Sequence, residues 1–349
     1  MKIRTILFGL CMFAGVGAKA HDFSATINGQ RLYFEITNKS QKTIAVTYNG
    51  GIADKKAPML NGIIEIPSKV KYHDIVYEVN AIGQKAFANA KHLKGIVMPS
   101  GIKSIGDFAF ENCDSLQDVV FPGNSVSLGQ GVFFMCPSIS NVTIGSDWKS
   151  IDFAMFRWSK MLYSVSIPAK VEKIQGIKKL KYLKTINVDS NNAMFTSNDG
   201  MLYSKDCTIY YACPRAFKGN VVIKEGVTKV INGAIVDCIS VTSLDFPSSL
   251  QVLSFRETSR MKLLERIVMR AKEPMFTGYH NGIGKCFFQL ANEKVQIVVL
   301  SSSKKMYENI MSLEAGEYSE NTESIPYMVT QAELPTKKNL KGVKQFDKE

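Results

Sequence analysis

The amino-acid sequence predicts an α/β solenoid dominated by β-strands and built from 23-residue repeats. Two observations lead to this prediction: apolar residues recur at the same place in successive segments, and proline or glycine closes each segment. One such unit has no means of burying its apolar face alone, so stacked units must form the core together. The recurring positions are Ile82, Ile105, Leu128, Ile151 and Ile174; Phe87, Phe110, Phe133 and Phe156; Leu93, Leu116, Ile139 and Leu162; and Pro99, Pro122, Gly145 and Pro168.

Each repeat contains a short strand followed by a turn. Leu116, Val119 and Phe121 end in a period-two alternation, which points the buried side chains inward and leaves the residue between them outside. The proline that follows has no N–H to donate and ends the strand. The pair Ile105–Gly106 then predicts an inward anchor and a turn. Ala109–Phe110 is expected to form a short helical or irregular segment.

The pattern I-G-x-x-A-F-x-x-C-x-x-L-x-x-I-x-I-P resembles the BspA-type leucine-rich repeat of bacterial surface proteins. The resemblance extends from Phe23 to Met311 and includes the flanking segments Ile63–Phe87 and Phe195–Pro214. It implies a right-handed leucine-rich-repeat solenoid, and a role in adhesion to host matrix proteins or to other bacteria. The matching positions in one repeat are Ile105, Gly106, Ala109, Phe110, Cys113, Leu116, Phe121 and Pro122.

The first twenty residues form a predicted secretory signal. Lys2 and Arg4 supply the charged start, Ile6–Val16 the apolar run, and Ala18–Ala20 an A-x-A cleavage site. The apolar run is too short to span a membrane, and no later run approaches the ~18 residues required. We therefore expect a mature chain that begins at His21, has no transmembrane segment, and is exported to the cell surface, the periplasm or the extracellular space.

The remaining chain is expected to divide into four parts. Residues 21–80 lack the repeat period and contain the hairpin signal Asn28–Gly29, which predicts an N-terminal β cap, with a freestanding ligand domain as the alternative. Residues 81–274 hold the repeats, interrupted by a hairpin insert over 195–223 that contains the turn signal Asp199–Gly200. Residues 275–330 predict a C-terminal cap, in which a strand precedes a helix capped by Ser302 or Ser303. Residues 331–349 predict a flexible basic tail.

The chain carries a net charge of +12, concentrated between residues 149 and 184. Export argues against a nucleic-acid partner, so we interpret this stretch as a solvated outer face. Binding of an acidic glycan, or of an acidic partner protein, is the alternative. The predicted basic patch comprises Lys170, Lys173, Lys178, Lys179, Lys181 and Lys184.

Neither the cysteines nor the histidines form a recognisable reactive site. Cys113 and Cys136 share one repeat position and Cys238 lies close to it, which favours small buried thiols. A Cys113–Cys136 disulfide remains the alternative. No metalloprotease, nucleophile-elbow, phosphate-loop or dinucleotide motif is present, so we predict no enzyme activity, no cofactor and no metal. Asp189, Asn191, Asn192, Asn198 and Asp199 suggest calcium as an alternative to ordinary turn formation.

The sequence thus predicts a protein-binding or adhesion module with an unknown ligand. Outward side chains on the stacked strands are expected to line a concave face of the kind solenoids use for protein partners. A structural surface or assembly component without a dedicated ligand is the alternative, and an enzyme site in residues 21–80 or in the insert is a third. The predicted face comprises Val97, Gln117, Asp118, Val120, Asn141, Thr143, Tyr163, Ser166 and Asn187.

Overall fold

The computed structural model describes residues 21–48, 60–254, 261–277, 295–306 and 328–330. Within them the chain is dominated by strands, and its helical structure is confined to three 3₁₀ segments and a turn of α-helix at 304–306. The chain divides into two compact units, Met1–Met201 and Leu202–Glu349, which are described in turn. The predicted signal peptide and basic tail lie outside the described residues.

Six strands precede the repeats. They are β1 (Phe23–Ile27), β2 (Gln30–Asn38), β3 (Thr43–Thr47), β4 (Asn61–Glu65), β5 (Lys69–Tyr72) and β6 (Ile75–Ile82). β1 and β2 pair antiparallel about Asn28 and Gly29, whose φ angles are 51° and 80°, so the predicted hairpin is confirmed. β2 and β3 pair antiparallel, and β3 then pairs parallel with β6. The segment is therefore joined edge to edge with the repeat sheet that follows.

Each repeat contributes two strands, where the sequence predicted one. The first strands are β7 (His92–Val97), β9 (Asp118–Val120), β11 (Asn141–Thr143), β13 (Ser164–Ile167) and β15 (Thr185–Val188). The second strands are β8 (Ser104–Ile105), β10 (Ser127–Leu128), β12 (Ser150–Asp152) and β14 (Lys173–Gln175), and β16 (Phe195–Asn198) closes the unit. Ile105 pairs in parallel with Ile82 on one side and with Leu128 on the other. Ile105, which was expected only to anchor a turn, thus belongs to a two-residue strand that forms hydrogen bonds with the neighbouring repeats.

After each second strand the chain makes a corner, which consists of tight turns or of a 3₁₀ segment. Each corner contributes one phenylalanine to a stack of rings. Phe110 lies 5.0 Å from Phe87 and 5.2 Å from Phe133, and Phe133 lies 5.2 Å from Phe156. All four rings are fully buried. In the later repeats the corner becomes the 3₁₀ segments η1 (Phe153–Phe156) and η2 (Ile177–Lys179). The short helical or irregular segment expected at this point is confirmed.

The second unit repeats the arrangement of two strands per repeat. They are β17 (Met201–Ser204), β18 (Ile209–Ala212), β19 (Lys218–Val222), β20 (Lys229–Val230), β21 (Ser240–Phe246), β22 (Val252–Ser254), β23 (Arg266–Met269), β24 (Met275–Thr277), β25 (Gln296–Val299) and β26 (Met328–Thr330). β17 and β18 form an antiparallel hairpin within the predicted insert. β18, β20, β22 and β24 form one parallel ladder, and β19, β21, β23, β25 and β26 form another.

A short 3₁₀ segment, η3 (Ser301–Ser303), follows β25. The residue that precedes it is Leu300, and no side chain caps it. The α-helical turn at 304–306 follows directly. Ser303 Oγ has no hydrogen-bond partner, so Ser303 does not cap this turn, and a cap by Ser302 stays a prediction.

The cysteines at the shared repeat position are buried thiols. Cys113, Cys136 and Cys238 are fully buried, and none of them is part of a disulfide. The Cys113 thiol donates to the carbonyl oxygen of Phe87 at 3.1 Å, and the Cys136 thiol donates to that of Phe110 at 2.9 Å. The hydrogen bond with Cys136, together with burial, raises the pKa of Cys113 well above its ordinary value. The Cys113 thiol therefore stays protonated, and burial keeps both thiols away from solvent, as the sequence favoured.

Candidate protein-interaction face

The outward side chains of β7, β9, β11, β13 and β15 form a regular array, called here the strand face. Val119 in β9 is fully buried, whereas Asp118 and Val120 on either side of it point outward. Parallel pairing repeats this alternation from β7 to β9 and β11, and again from β13 to β15, while β11 and β13 lie next to each other without ladder pairing. One outward column contains Gly95, Asp118, Asn141, Ser164 and Thr185, and the other contains Val97, Val120, Thr143, Ser166 and Asn187.

Hydrogen bonds between adjacent repeats hold several polar side chains of the strand face in place. Asn141 Nδ2 donates to Asp118 Oδ1 at 2.7 Å, and Asn187 Nδ2 donates to Ser164 Oγ at 3.0 Å. Each bond already restricts two side chains, so less conformational entropy is lost when a partner binds. The polar part of the face is therefore partly preorganised.

The strand face is apolar near its first strands. Ile63 of β4 is 58% exposed, and a Cβ atom on Gly95 would lie 3.1 Å from its Cγ1 atom. Because Gly95 has no side chain, Ile63 reaches over β7 in the column that continues to Asp118, whereas the half-buried Val97 and Val120 continue the column that begins at Glu65. Exposed apolar side chains close to one another on a surface are typical of contact surfaces.

A tyrosine and a lysine form a second exposed cluster at the edge of the strand face. Tyr163 is 39% exposed, and Lys184 Nζ lies 4.2 Å from the centroid of its ring. The Tyr163 hydroxyl contacts Met161 Sδ at 3.5 Å, and Met161 is itself 46% exposed. Partly exposed aromatic side chains are enriched among the residues that dominate protein–protein binding energies.

The residues predicted for the concave face are outward-facing or lie at the starts of these strands. Gln117 is exposed and immediately precedes β9, and Tyr163 immediately precedes β13. The structure brings Asp118 and Asn141 into direct contact. Sequence reasoning missed Ile63 and Met161, although the outward register of Ile63 follows from the alternation in β4, where Ile64 is buried.

The lysines of the predicted basic patch lie in several elements. Lys170 pairs with Asp147, Lys184 stacks on Tyr163, and Lys181 lies 5.7 Å from the Tyr182 ring. Lys173 lies on β14, and Lys178 and Lys179 lie in η2. A shared basic binding surface stays a prediction.

The polar residues considered for calcium take part in turns. Asp189 Oδ1 accepts from the Asn191 backbone N–H at 2.9 Å, and Asn192 Oδ1 accepts from the backbone N–H groups of Met194 and Phe195. Among the described residues no group of three histidine, cysteine, aspartate or glutamate side chains is placed to hold a metal ion. In the same part of the chain no helix is long and apolar enough to cross a membrane.

Comparison with known proteins finds a family model for part of the chain and several similar solved structures. Residues 68–198 match the family model described as "BspA type Leucine rich repeat region", in six copies. No curated protein matches the chain. Similar solved structures include a leucine-rich cell surface protein from Faecalibacterium prausnitzii, with 18% identity, a TM-score of 0.43, and coverage of 89% of this chain and 95% of that one.

Two further solved structures show the same level of similarity. The pneumococcal vaccine antigen PcpA is 16% identical with a TM-score of 0.44, over 90% of this chain and 100% of that one. A leucine-rich repeat protein from Eubacterium ventriosum is 17% identical with a TM-score of 0.46, over 80% of this chain and 79% of that one.

Proposed function

We propose, starting from a chain whose residues 68–198 are BspA-type leucine-rich repeats, that this protein is an exported, non-catalytic binding module that holds a protein partner on the strand face. Repeats of this family are carried by bacterial cell-surface proteins, for which protein binding or adhesion is the general expectation. The partner is a host matrix protein or another bacterial surface protein. The proposal extends the predicted concave-face interaction to the residues that the structure adds, Ile63 and Met161.

The ordered alternation of the strand face supports this proposal most directly. A flat row of side chains on hydrogen-bonded strands presents the same geometry in each repeat, so a partner docks without first ordering a loop. The Asp118–Asn141 contact shows that neighbouring side chains are already fixed to each other. Elsewhere in the described chain, outward residues of the second strands are mostly short polar groups such as Ser104, Ser127 and Ser150.

The chemistry of the strand face restricts the partner. An apolar patch on the partner would cover Ile63, Val97 and Val120, and polar groups would meet the hydrogen-bonded row beside them. The exposed ring of Tyr163, with Lys184 above it, would lie near the edge of the contact. A partner of this kind binds through shape and apolar area, so salt should weaken binding only slightly.

We also propose that the repeat array is right-handed and that a cap covers each of its ends. Parallel strands joined by crossover connections are right-handed in nearly all proteins, which supports a right-handed array. We assign β1–β3 to the N-terminal cap and β25 with η3 to the C-terminal cap, because an array of strands needs its end edges covered.

Two glutamates on the strand face test the proposal. The mature protein would be captured on immobilised extracellular matrix and on whole bacterial cells, and the affinity for the captured partner would then be measured by surface plasmon resonance. Val120→Glu combined with Thr143→Glu should weaken binding at least tenfold, or about 1.4 kcal/mol, while the fold stays intact. The matched control is Ser127→Glu with Ser150→Glu, which adds the same charge to the other strand ladder.

Unchanged affinity of the strand-face variant would contradict the proposal. A partner whose affinity survives both glutamates but collapses at high salt would bind through basic side chains instead. Failure to capture any partner from matrix or cells would support the structural alternative, a surface or assembly component without a dedicated ligand.

A further inference from the structure

The corner turns of the third and fourth repeats carry exposed apolar side chains where earlier repeats carry asparagine. The equivalent positions along the array are Asn89, Asn112, Met135 and Trp158. Met135 has a φ angle of 55°, close to the 62° of Asn89 and the 58° of Asn112. This left-handed conformation suits asparagine and is unfavourable for methionine. Met135 is 48% exposed and Trp158 is 44% exposed, so burial does not offset the replacement.

Three aromatic rings from successive repeats meet at this surface, called here the aromatic corner. The rings of Phe108 and Phe134 are 6.2 Å apart, and those of Phe134 and Trp158 are 5.3 Å apart, both edge to face. This row is separate from the buried stack of Phe87, Phe110, Phe133 and Phe156, which forms the core. The rings of the aromatic corner are partly exposed, whereas those of the stack are fully buried, so burial in the core does not account for them.

An open cleft of about 410 Å³ runs along the aromatic corner. Phe134, Trp158 and Gly131 line it. A Cβ atom on Gly131 would lie 2.6 Å from Cε1 of Phe108, and its φ angle is 58°. Glycine at this position therefore allows Phe108 to lie across the turn beneath the cleft. The volume falls within the range of roughly 300–1,000 Å³ found for small-molecule sites.

Polar side chains line the same cleft and include an arginine without a carboxylate partner. The guanidinium carbon of Arg157 lies 5.6 Å from the Trp158 ring centroid, and among the described residues no acid pairs with it. Asp152 Oδ1 accepts from the Ala154 backbone N–H at 2.9 Å, which leaves Oδ2 for a ligand. The amide of Gln130 adds a donor and an acceptor. The other nearby acid, Asp107, accepts from the Gln130 backbone N–H at 2.7 Å.

Two charged side chains line the cleft, Arg157 and Asp152. The Asp152 and Asp107 carboxylates each accept a backbone N–H with one oxygen, from Ala154 and from Gln130. Arg157 pairs with no acid among the described residues, so its guanidinium is the group in the cleft that favours an anionic ligand.

From these features we infer that the aromatic corner binds a carboxylate-bearing saccharide, such as a uronate-containing polysaccharide chain. The C–H face of a sugar ring carries partial positive charge and packs on the negative face of Trp158. The planar fork of Arg157 matches a carboxylate bidentately. Asp152 and Gln130 hydrogen-bond to hydroxyl groups. An acidic peptide satisfies Arg157 but offers no flat ring face with hydroxyls at its rim, so the saccharide fits the whole cleft better.

This site is distinct from the strand face, so the two proposals are tested separately. The probes are octasaccharides of hyaluronan, alginate and polygalacturonate, each compared with its carboxyl-reduced neutral form. Binding to the mature protein would be measured by calorimetry and by tryptophan fluorescence. The chain has two tryptophans, and Trp148 is buried, so a ligand-induced change reports Trp158.

At least one acidic octasaccharide should bind, and at least fivefold more tightly than its neutral form. Trp158→Ala should weaken that binding at least tenfold, and Arg157→Gln should remove the preference for the acid. Trp158→Phe should restore most of the affinity, which separates loss of the ring from loss of the fold. Tyr163→Ala, a matched loss of an exposed aromatic ring on the strand face, should change nothing, as should Val120→Glu with Thr143→Glu.

Several results would overturn the inference. They are an absence of binding to all three acidic octasaccharides, equal binding of the acidic and neutral forms, and unchanged affinity in a folded Trp158→Ala variant. Equally strong competition by a poly-glutamate peptide would show that the cleft recognises charge alone, which would favour a protein ligand.

Discussion

The ring of Phe110 lies parallel to that of Phe87, with centroids 5.0 Å apart and planes within 1° of each other. Phe133 continues the stack on the other side of Phe110 at 5.2 Å. Within the first compact unit, one phenylalanine ring per repeat thus packs against the rings of the neighbouring repeats. Because a single repeat buries little apolar surface by itself, this contact between repeats supplies much of its stability.

Replacing Phe110 by alanine should therefore destabilise the protein by about 3–5 kcal/mol, since the ring is fully buried between two others. Chemical denaturation followed by circular dichroism measures the loss. Met194→Ala is the control, because Met194 is 49% exposed and its removal should cost less than about 0.5 kcal/mol. Equal losses in the two variants would mean that the ring stack is not the core.

A second prediction concerns Gly145, which takes the place of the proline that closes the other repeats. A Cβ atom there would collide with the carbonyl oxygen of Pro122 and would lie 2.6 Å from that of Gly123. Backbone atoms do not move aside easily, so Gly145→Ala should destabilise the protein by about 1–3 kcal/mol or more.

The matched control for Gly145→Ala is Gly123→Ala. At Gly123 the nearest atom to an added Cβ is Ser146 Oγ at 3.9 Å, and the change in stability should stay within about 0.5 kcal/mol. Thermal melts of the two variants give the comparison. Similar melting temperatures would show that the close approach of the two turns at Gly145 is relaxed in solution.

A third prediction concerns pH and the second unit. Burial alone would raise the pKa of Glu225, but hydrogen bonds from Ser248 and Ser249 lower it below the ordinary value of 4.5. A carboxyl group with a lowered folded-state pKa stabilises the protein above its unfolded-state pKa, and this contribution is lost as pH falls through the folded-state value. Glu225→Gln should therefore lower the melting temperature at pH 7, with the difference shrinking below pH 4.5.

Melting curves of wild type and Glu225→Gln between pH 7 and pH 3 check this prediction. Ser248→Ala, which removes the hydroxyl donor that lies 2.7 Å from Glu225 Oε1, should reduce the pH-dependent difference. A gap between wild type and Glu225→Gln that is the same at both ends of the range would exclude the carboxylate as its cause.

Much of the core and of the register followed from the repeat period. Positions that share one place in the repeat, such as Ile105 and Leu128, pair in the structure as the period requires. The inward and outward assignment of Val119 and Val120 followed from alternation within one strand. These features depend on the local pattern of apolar residues. Because the same pattern recurs in every repeat, each repeat gives independent support for the assignment.

The second strand of each repeat was not predictable in the same way. Ser104–Ile105 is too short to show an alternation, and its hydrogen bonds go to residues about 23 positions away. The aromatic corner was also missed, although comparison of Asn89, Asn112, Met135 and Trp158 contains its signal.

The sequence alone determined which residues are buried, where each repeat closes, and which family the repeats resemble, because periodic burial of apolar side chains is a property of the chain itself. Only the tertiary structure decided which outward side chains become neighbours. The bond from Asn141 to Asp118 and the contact of Trp158 with Phe134 depend on side-chain conformations chosen after the repeats stack. Surface chemistry of this kind depends on distances between separate repeats, and no pattern within one repeat specifies them.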